Sequence, residues 1–219
     1  MSIQKKVPYI AIEGIKGVGK STVISLLKEK LSHITYVQIN PTARMEGYSW
    51  IEFVNQYLPL RKFDWWVKIL YAHRSNQQAI HAKKKIVLLE QTNNPAQFIL
   101  GDRSIITSLV TRWNQNNRDI HSYFTSVRTM EYAIPIPDHV IYLHASMETI
   151  QSRIKNRERK YGAEDETLSR LLEAHQIYMQ IQQGILPSLD NITWHMVSAE
   201  DSPDTVSEEL YLRIIKILE

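Results

Sequence analysis

Val7-Pro8-Tyr9-Ile10-Ala11-Ile12-Glu13-Gly14-Ile15-Lys16-Gly17-Val18-Gly19-Lys20-Ser21-Thr22 packs three structural signals into one short segment. Val7 to Glu13 is an apolar run of strand length, Gly14 to Ser21 fits G-x-x-x-x-G-K-[ST], and Val23, Ile24, Leu27 and Leu31 then share one helical face. Strand, glycine loop and helix in that order is the arrangement a phosphate-binding loop needs. Without Cβ atoms the loop backbone can turn successive N–H groups inward at phosphates. The phosphate contacts expected are Gly14, Gly17, Val18, Gly19, Lys20, Ser21 and Thr22. Lys20 would reach the β- and γ-phosphates and Ser21 would hold magnesium, with the positive end of the helix dipole behind them.

A chain of 219 residues with 43% hydrophobic content can form one well-packed domain, so residues 1–219 are read as a single unit. The formal charge of +3 suits an anionic ligand, but 26 basic against 23 acidic residues is too even for a nucleic-acid binder. Lys83-Lys84-Lys85 is the only basic run and reads as a solvated helix face. The absence of cysteine excludes disulfides and thiolate metal sites. Nothing approaches the roughly 20 apolar residues that cross a bilayer, and no signal peptide is evident at Met1 to Lys6, so a soluble, cytoplasmic protein without a membrane partner is expected.

Further strands are read at Ile34–Ile39, Ala96–Leu100, His139–Leu143 and Ile192–Val197, and helices at about Glu46–Tyr57 and Phe63–Gln91, from Ser146 and after Ser202-Pro203. Short apolar strands alternating with helices indicate βα units on a parallel sheet. Ligands then bind beyond the carboxyl ends of the strands, where the glycine loop and Asp102-Arg103 both fall.

Phosphoryl transfer asks a protein to hold the donor, align the acceptor and neutralise the moving charge. Asp102 offers a carboxylate able to orient magnesium, directly or through water, and Arg103 a guanidinium able to grip a phosphate by two hydrogen bonds. Arg153, Arg157 and Arg159 crowd the end of the helix from Ser146 and lead into a polar, glycine-containing stretch, which reads as an arginine-bearing lid over about 153–166. Of the adjacent Trp65 and Trp66 one is expected in the core, because neighbours cannot share a helical face. The eight histidines show no metal-ligand spacing.

With these residues in view the chain resembles the thymidylate kinases, within the wider group of P-loop nucleotide and nucleoside kinases. The resemblance rests on Ile12 to Thr22, Leu70-Tyr71-Ala72-His73-Arg74, Asp102 to Ser108, Pro137 to Leu143 and the turn Ser198 to Pro203. It implies a three-layer α/β fold with a five-stranded parallel sheet flanked by helices. It also implies magnesium-dependent transfer of the ATP γ-phosphate to a deoxynucleoside monophosphate, dTMP to dTDP in the type reaction, by a homodimer. Carried over residue by residue, Arg44 and Arg103 would clamp the acceptor phosphate, Arg74 would face the base, and Leu70 would pack against it; Ser108 falls in the same substrate set. Lys20, Asp102, Arg103 and the three lid arginines would be catalytic, with Ser21 and Asp102 on the metal. The lid supplies the arginine in family members whose glycine loop lacks one, and Gly17 fits that variant.

Lys16, Ser104 and Thr111-Arg112 depart from that family's usual residues, and Asp102-Arg103-Ser104 with the arginine spacing also looks like deoxynucleoside kinases. A sugar hydroxyl must lose its proton to a carboxylate, whereas a phosphate acceptor is already ionised. The second strand ends in Ile39-Asn40-Pro41 without an acid, Glu46 being the nearest, and that absence favours the monophosphate. A nucleotide-binding regulatory protein is the third alternative; it would need neither acceptor clamp nor arginine lid.

Overall fold

A computed structural model describes residues 7–45, 49–58, 60, 63–113, 119–156 and 166–219. Its five strands are β1 (Tyr9–Glu13), β2 (Tyr36–Ile39), β3 (Phe98–Asp102), β4 (His139–His144) and β5 (Thr193–Ser198). They pair in parallel in the order β2-β3-β1-β4-β5, so chain neighbours β1 and β2 are separated by β3. The described helices are α1 (Lys20–Lys30), α2 (Trp50–Tyr57), α3 (Asp64–Glu90), α4 (Ile105–Arg112), α5 (Ile120–Met130), α6 (Met147–Asn156), α7 (Leu168–Gln182) and α8 (Pro203–Leu218).

The period of two along a strand divides the core into two layers. Tyr9 and Ala11 of β1, with Val140 and Tyr142 of β4, face residues of α3, α4, α5 and α7, among them Ala79, Leu109, Val127 and Ile181. Ile10, Ile12, Ile141 and Leu143 point the other way, onto Val23 and Leu27 of α1 and Leu210 and Ile214 of α8. Every residue of β1 is therefore buried. A small third cluster joins Ile51 of α2 to Trp66 and Leu70 of α3, while Trp65 lies exposed beside it. This is the flanked parallel sheet anticipated above. The strand and helix ends shift by a few residues: the third strand starts at Phe98 and runs on to Asp102. Helices α4, α5 and α7 fall in stretches where no element was anticipated.

Ser49, Ser104, Asp119, Thr167 and Ser202 each accept a hydrogen bond from a backbone N–H in the first turn of the helix that follows, which is how five of these helices start. Lys83, Lys84 and Lys85 are exposed on α3. Among the described residues no helix is long and apolar enough to cross a membrane, and no group of three or more His, Asp or Glu stands ready to hold a metal.

Candidate active site

Two loops meet at the carboxyl edge of the sheet. The first follows β1, with Gly14, Gly17 and Gly19 all at positive φ, Gly17 at +84°. A Cβ on Gly17 would sit 2.7 Å from Ile154 of α6, so conformation and space both demand glycine there. Lys20 is buried at the start of α1, and its Nζ donates to the carbonyls of Gly14 and, at 3.0 Å, Ile15. Burial, followed by the nearby Arg103, holds the Lys20 ammonium well below the usual lysine range. The nearby Glu13 and Asp102 offset that only in part, and an anion bound in this pocket would favour the charged form further. Ser21 and Thr22 are exposed at the mouth of the loop, and the Val18 side chain is buried beneath it.

The second loop follows β3. Ile12 pairs with Asp102 and Ile39 with Gly101, which sets Asn40, just past β2, beside Asp102. Asn40 Nδ2 donates to Asp102 Oδ2 at 2.8 Å, while Asn40 Oδ1 accepts from Thr42 N and Oγ1. The Thr42 amide can only donate, so it fixes which way the Asn40 amide faces. Arg103 adopts φ +80°, the only such non-glycine among the described residues, held by its own N–H on Ile12 O and by Tyr9 Oη on its carbonyl.

Arg153 of α6 lies across the first loop, its Nη1 donating to Val18 O at 3.0 Å and Nη2 to Glu200 O at 3.4 Å. Glu200, in the turn after β5, accepts from Ser146 N and from Thr149 Oγ1, and these contacts draw its carboxyl below the usual range. Arg153 thereby joins the glycine loop to the Ser198–Pro203 turn. Arg157 and Arg159, and all but the ends of the expected lid, lie outside the described residues.

Of the other expected substrate residues, Leu70 and Arg74 lie on α3, Ser108 on α4 and Arg44 after β2. Arg74 is gripped by Glu52, Nε on Oε1 at 2.5 Å and Nη2 on Oε2 at 2.9 Å, and its Nη1 reaches Thr42 O. Its pKa rises and that of Glu52 falls, each chiefly through this pairing. Two guanidinium groups lie near the Tyr71 ring, Arg112 at 4.5 Å and Arg74 at 5.7 Å from its centre. Arg112 donates to Ser108 Oγ at 3.0 Å and pairs with buried Glu131. Leu70 is buried in the third core cluster and Arg44 is exposed at the end of the segment after β2. A continuous polar line therefore runs from Asp102 through Asn40, Thr42 and Arg74 to the Glu52 carboxylate. The sequence pointed to Asp102, Arg74 and Ser108 and marked Arg112 only as a departure from the resembled family, while Glu52 and Glu131 had no part. An acid and a base on separate elements carry no spacing signal.

A sequence model of the family described as deoxynucleoside kinase matches residues 10–218. A deoxyguanosine kinase from Bacillus subtilis (strain 168) is 23% identical over 194 residues, which is 85% of this chain and 85% of that protein. A solved deoxyadenosine kinase from M. mycoides, with products dCMP and a flexible dCDP bound, aligns with a TM-score of 0.60 and 21% identity over 95% of this chain and 99% of its own. That last likeness shows the fold. The family match overturns the expectation of a dTMP-to-dTDP enzyme and narrows the resemblance to the other branch of the P-loop kinases. A missing acid after Ile39 counted against a hydroxyl acceptor, yet β3 lies beside β2 and sets Asp102 next to Asn40.

Proposed function

The chain belongs to the deoxynucleoside kinase family, and from that premise we propose that it transfers the γ-phosphate of ATP to the 5′-hydroxyl of a deoxynucleoside, giving the monophosphate and ADP. The observation that supports this best is the pairing of an anion-hungry glycine loop with one carboxylate free to meet a hydroxyl. Glu13 has four donors on its two oxygens, and Glu52 has both oxygens on Arg74. Asp102 is held on Oδ2 by Asn40, which leaves Oδ1 for the acceptor.

In this reading the loop amides and Lys20 hold the triphosphate, and Asp102 accepts the hydroxyl proton as the 5′-oxygen bonds to the γ-phosphorus. The bond to the bridging oxygen breaks and ADP departs. Arg103 and Arg153 meet the charge spread over the transferring group. Arg157 and Arg159 would add to it from the lid. The Ser21 hydroxyl and, through water, Asp102 are hard oxygen donors that suit magnesium, which when bound neutralises phosphate charge. Arg74, Ser108, Leu70 and Arg44 belong in this reading to the acceptor side. A homodimer through the long helices belongs to it as well, and sedimentation would test that part separately.

Titration of the purified chain with MgATP and a panel of deoxynucleosides and their monophosphates, following ADP release, tests the proposal. At least one deoxynucleoside should raise turnover well above the basal rate; if none does, the proposal is wrong. Asp102→Asn should lower kcat by about 10²- to 10⁴-fold while leaving ATP binding intact, the range expected for loss of a general base. Near-normal kcat in that variant would remove Asp102 from the role.

A further inference from the structure

Glu13 ends β1, directly before the first glycine of the loop, and is fully buried. Its Oε1 accepts from Ser104 N and Ser104 Oγ, each at 2.7 Å. Its Oε2 accepts from Thr107 Oγ1 at 2.8 Å and Tyr178 Oη at 2.7 Å. Ser104, Thr107 and Tyr178 are themselves buried. Taking a carboxylate out of water is costly unless donors replace its hydration, and here four do. An apolar side chain would pack this strand end at lower cost, so the arrangement calls for another account.

The donors lie on two elements. Ser104 follows Arg103 immediately and opens α4, Thr107 lies in its first turn, and Tyr178 stands on α7, behind both loops. Glu13 therefore ties the residue before the glycine loop to the residue after Arg103. A left-handed arginine persists only where its surroundings over-determine it, and the Glu13 contacts fix its C-terminal neighbour. Burial and the Glu13 charge push the Tyr178 hydroxyl well above the usual tyrosine range, so it stays a donor.

We propose that Glu13 is a positioning residue for phosphoryl transfer: its carboxylate sets the geometry between the glycine loop and Asp102-Arg103, with Tyr178 making α7 a strut behind them. The inference rests on the reading above that these two loops carry the reaction. Glu13 takes no proton in it, because its oxygens have no position left for a substrate hydroxyl.

The test compares Glu13→Gln and Glu13→Ala in the full chain. A glutamine carbonyl still accepts from Ser104 N–H, and its amide can donate to the Thr107 and Tyr178 hydroxyls, which can turn to accept. Glu13→Gln should therefore keep kcat within about 5-fold of the parent, whereas Glu13→Ala should lose roughly 100-fold, the cost of misplacing a catalytic group by about 1 Å. KM for ATP and deoxynucleoside should change little in either. Amide hydrogen exchange at Ser104 and Ile106 should accelerate in Glu13→Ala while the central strands stay protected. A glutamine variant as inactive as the alanine one overturns the proposal, and so does a folded alanine variant with normal kcat. If Glu13→Ala does not fold, Thr107→Val with Tyr178→Phe decides. Losing both Oε2 donors should lower kcat roughly tenfold at unchanged KM, and an unchanged kcat overturns the idea. A parent chain that phosphorylates no deoxynucleoside would refute the function reading instead. The exchange comparison, which needs no substrate, would still judge Glu13.

Discussion

At Arg103 the backbone is held at φ +80°, where a side chain bearing a Cβ is strained by about 1 kcal/mol. The fold tolerates this because Ile12 O, Tyr9 Oη and the Glu13 contacts of Ser104 all fix the turn. An arginine kept where glycine would be easier points to work done by its guanidinium. Arg103→Ala should lower kcat by about 10²- to 10³-fold, the range seen when one stabiliser of transition-state charge is removed. Arg103→Gly should be equally inactive yet melt higher than Arg103→Ala, by about 1 kcal/mol of stability, because only the alanine keeps the strain. A glycine variant no more stable than the alanine one would show that the strain is already relieved.

Between elements, Arg74 of α3 pairs with Glu52 of α2, with side chains only 11% and 5% exposed. Two charges this far from water attract strongly but have surrendered their hydration, so removing one partner costs more than removing both. Glu52→Ala should destabilise the chain by about 3–5 kcal/mol in urea unfolding, while the double variant Glu52→Leu/Arg74→Met regains most of it. Additive losses in the double variant would refute the pairing. On sequence alone Arg74 is an arginine on a long helix with nothing to show which way it points. Glu52 gives it a fixed direction, because both carboxylate oxygens are used and the remaining Nη1 is turned to Thr42 O.

For the whole molecule the histidines set a pH limit. His139 and His195 lie 3.3 Å apart across β4 and β5, and His175 meets the Tyr142 hydroxyl at 2.8 Å. Burial lowers all three below the ordinary 6.5; His139 and Arg213 lower His195 further, His144 lowers His175, and Asp138 partly offsets the shift at His139. With folded values below the unfolded one, the unfolded chain binds more protons in acid. Their contribution to stability is therefore whole above about pH 6.5 and is lost as the pH falls from there toward the lowered values. The lowered carboxyls of Glu52 and Glu200 act only below their ordinary 4.5, outside this window. Tm should drop between pH 7 and 5.5, and less so in His139→Gln/His195→Gln; the same drop in that variant would acquit the pair.

The sequence by itself determined what short-range chemistry can determine. The apolar run to Glu13, the glycine spacing and Lys20-Ser21 specify a phosphate loop because backbone geometry and the helix start are local properties. The alternation of strands and helices likewise specified a parallel sheet, whose carboxyl edge had to carry Asp102-Arg103. Only the tertiary structure decided that Glu13 and Glu52 have both oxygens occupied while Asp102 is held by Asn40 on Oδ2. Strand order places Asn40 on Asp102 although 62 positions separate them, and the packing of α7 on the sheet brings Tyr178 onto Glu13 across 165. Such contacts leave no periodicity in the chain, because they follow from which elements become neighbours. That is why a missing acid after β2 pointed to the wrong acceptor: the strand alongside sets the Asp102 carboxylate next to Asn40.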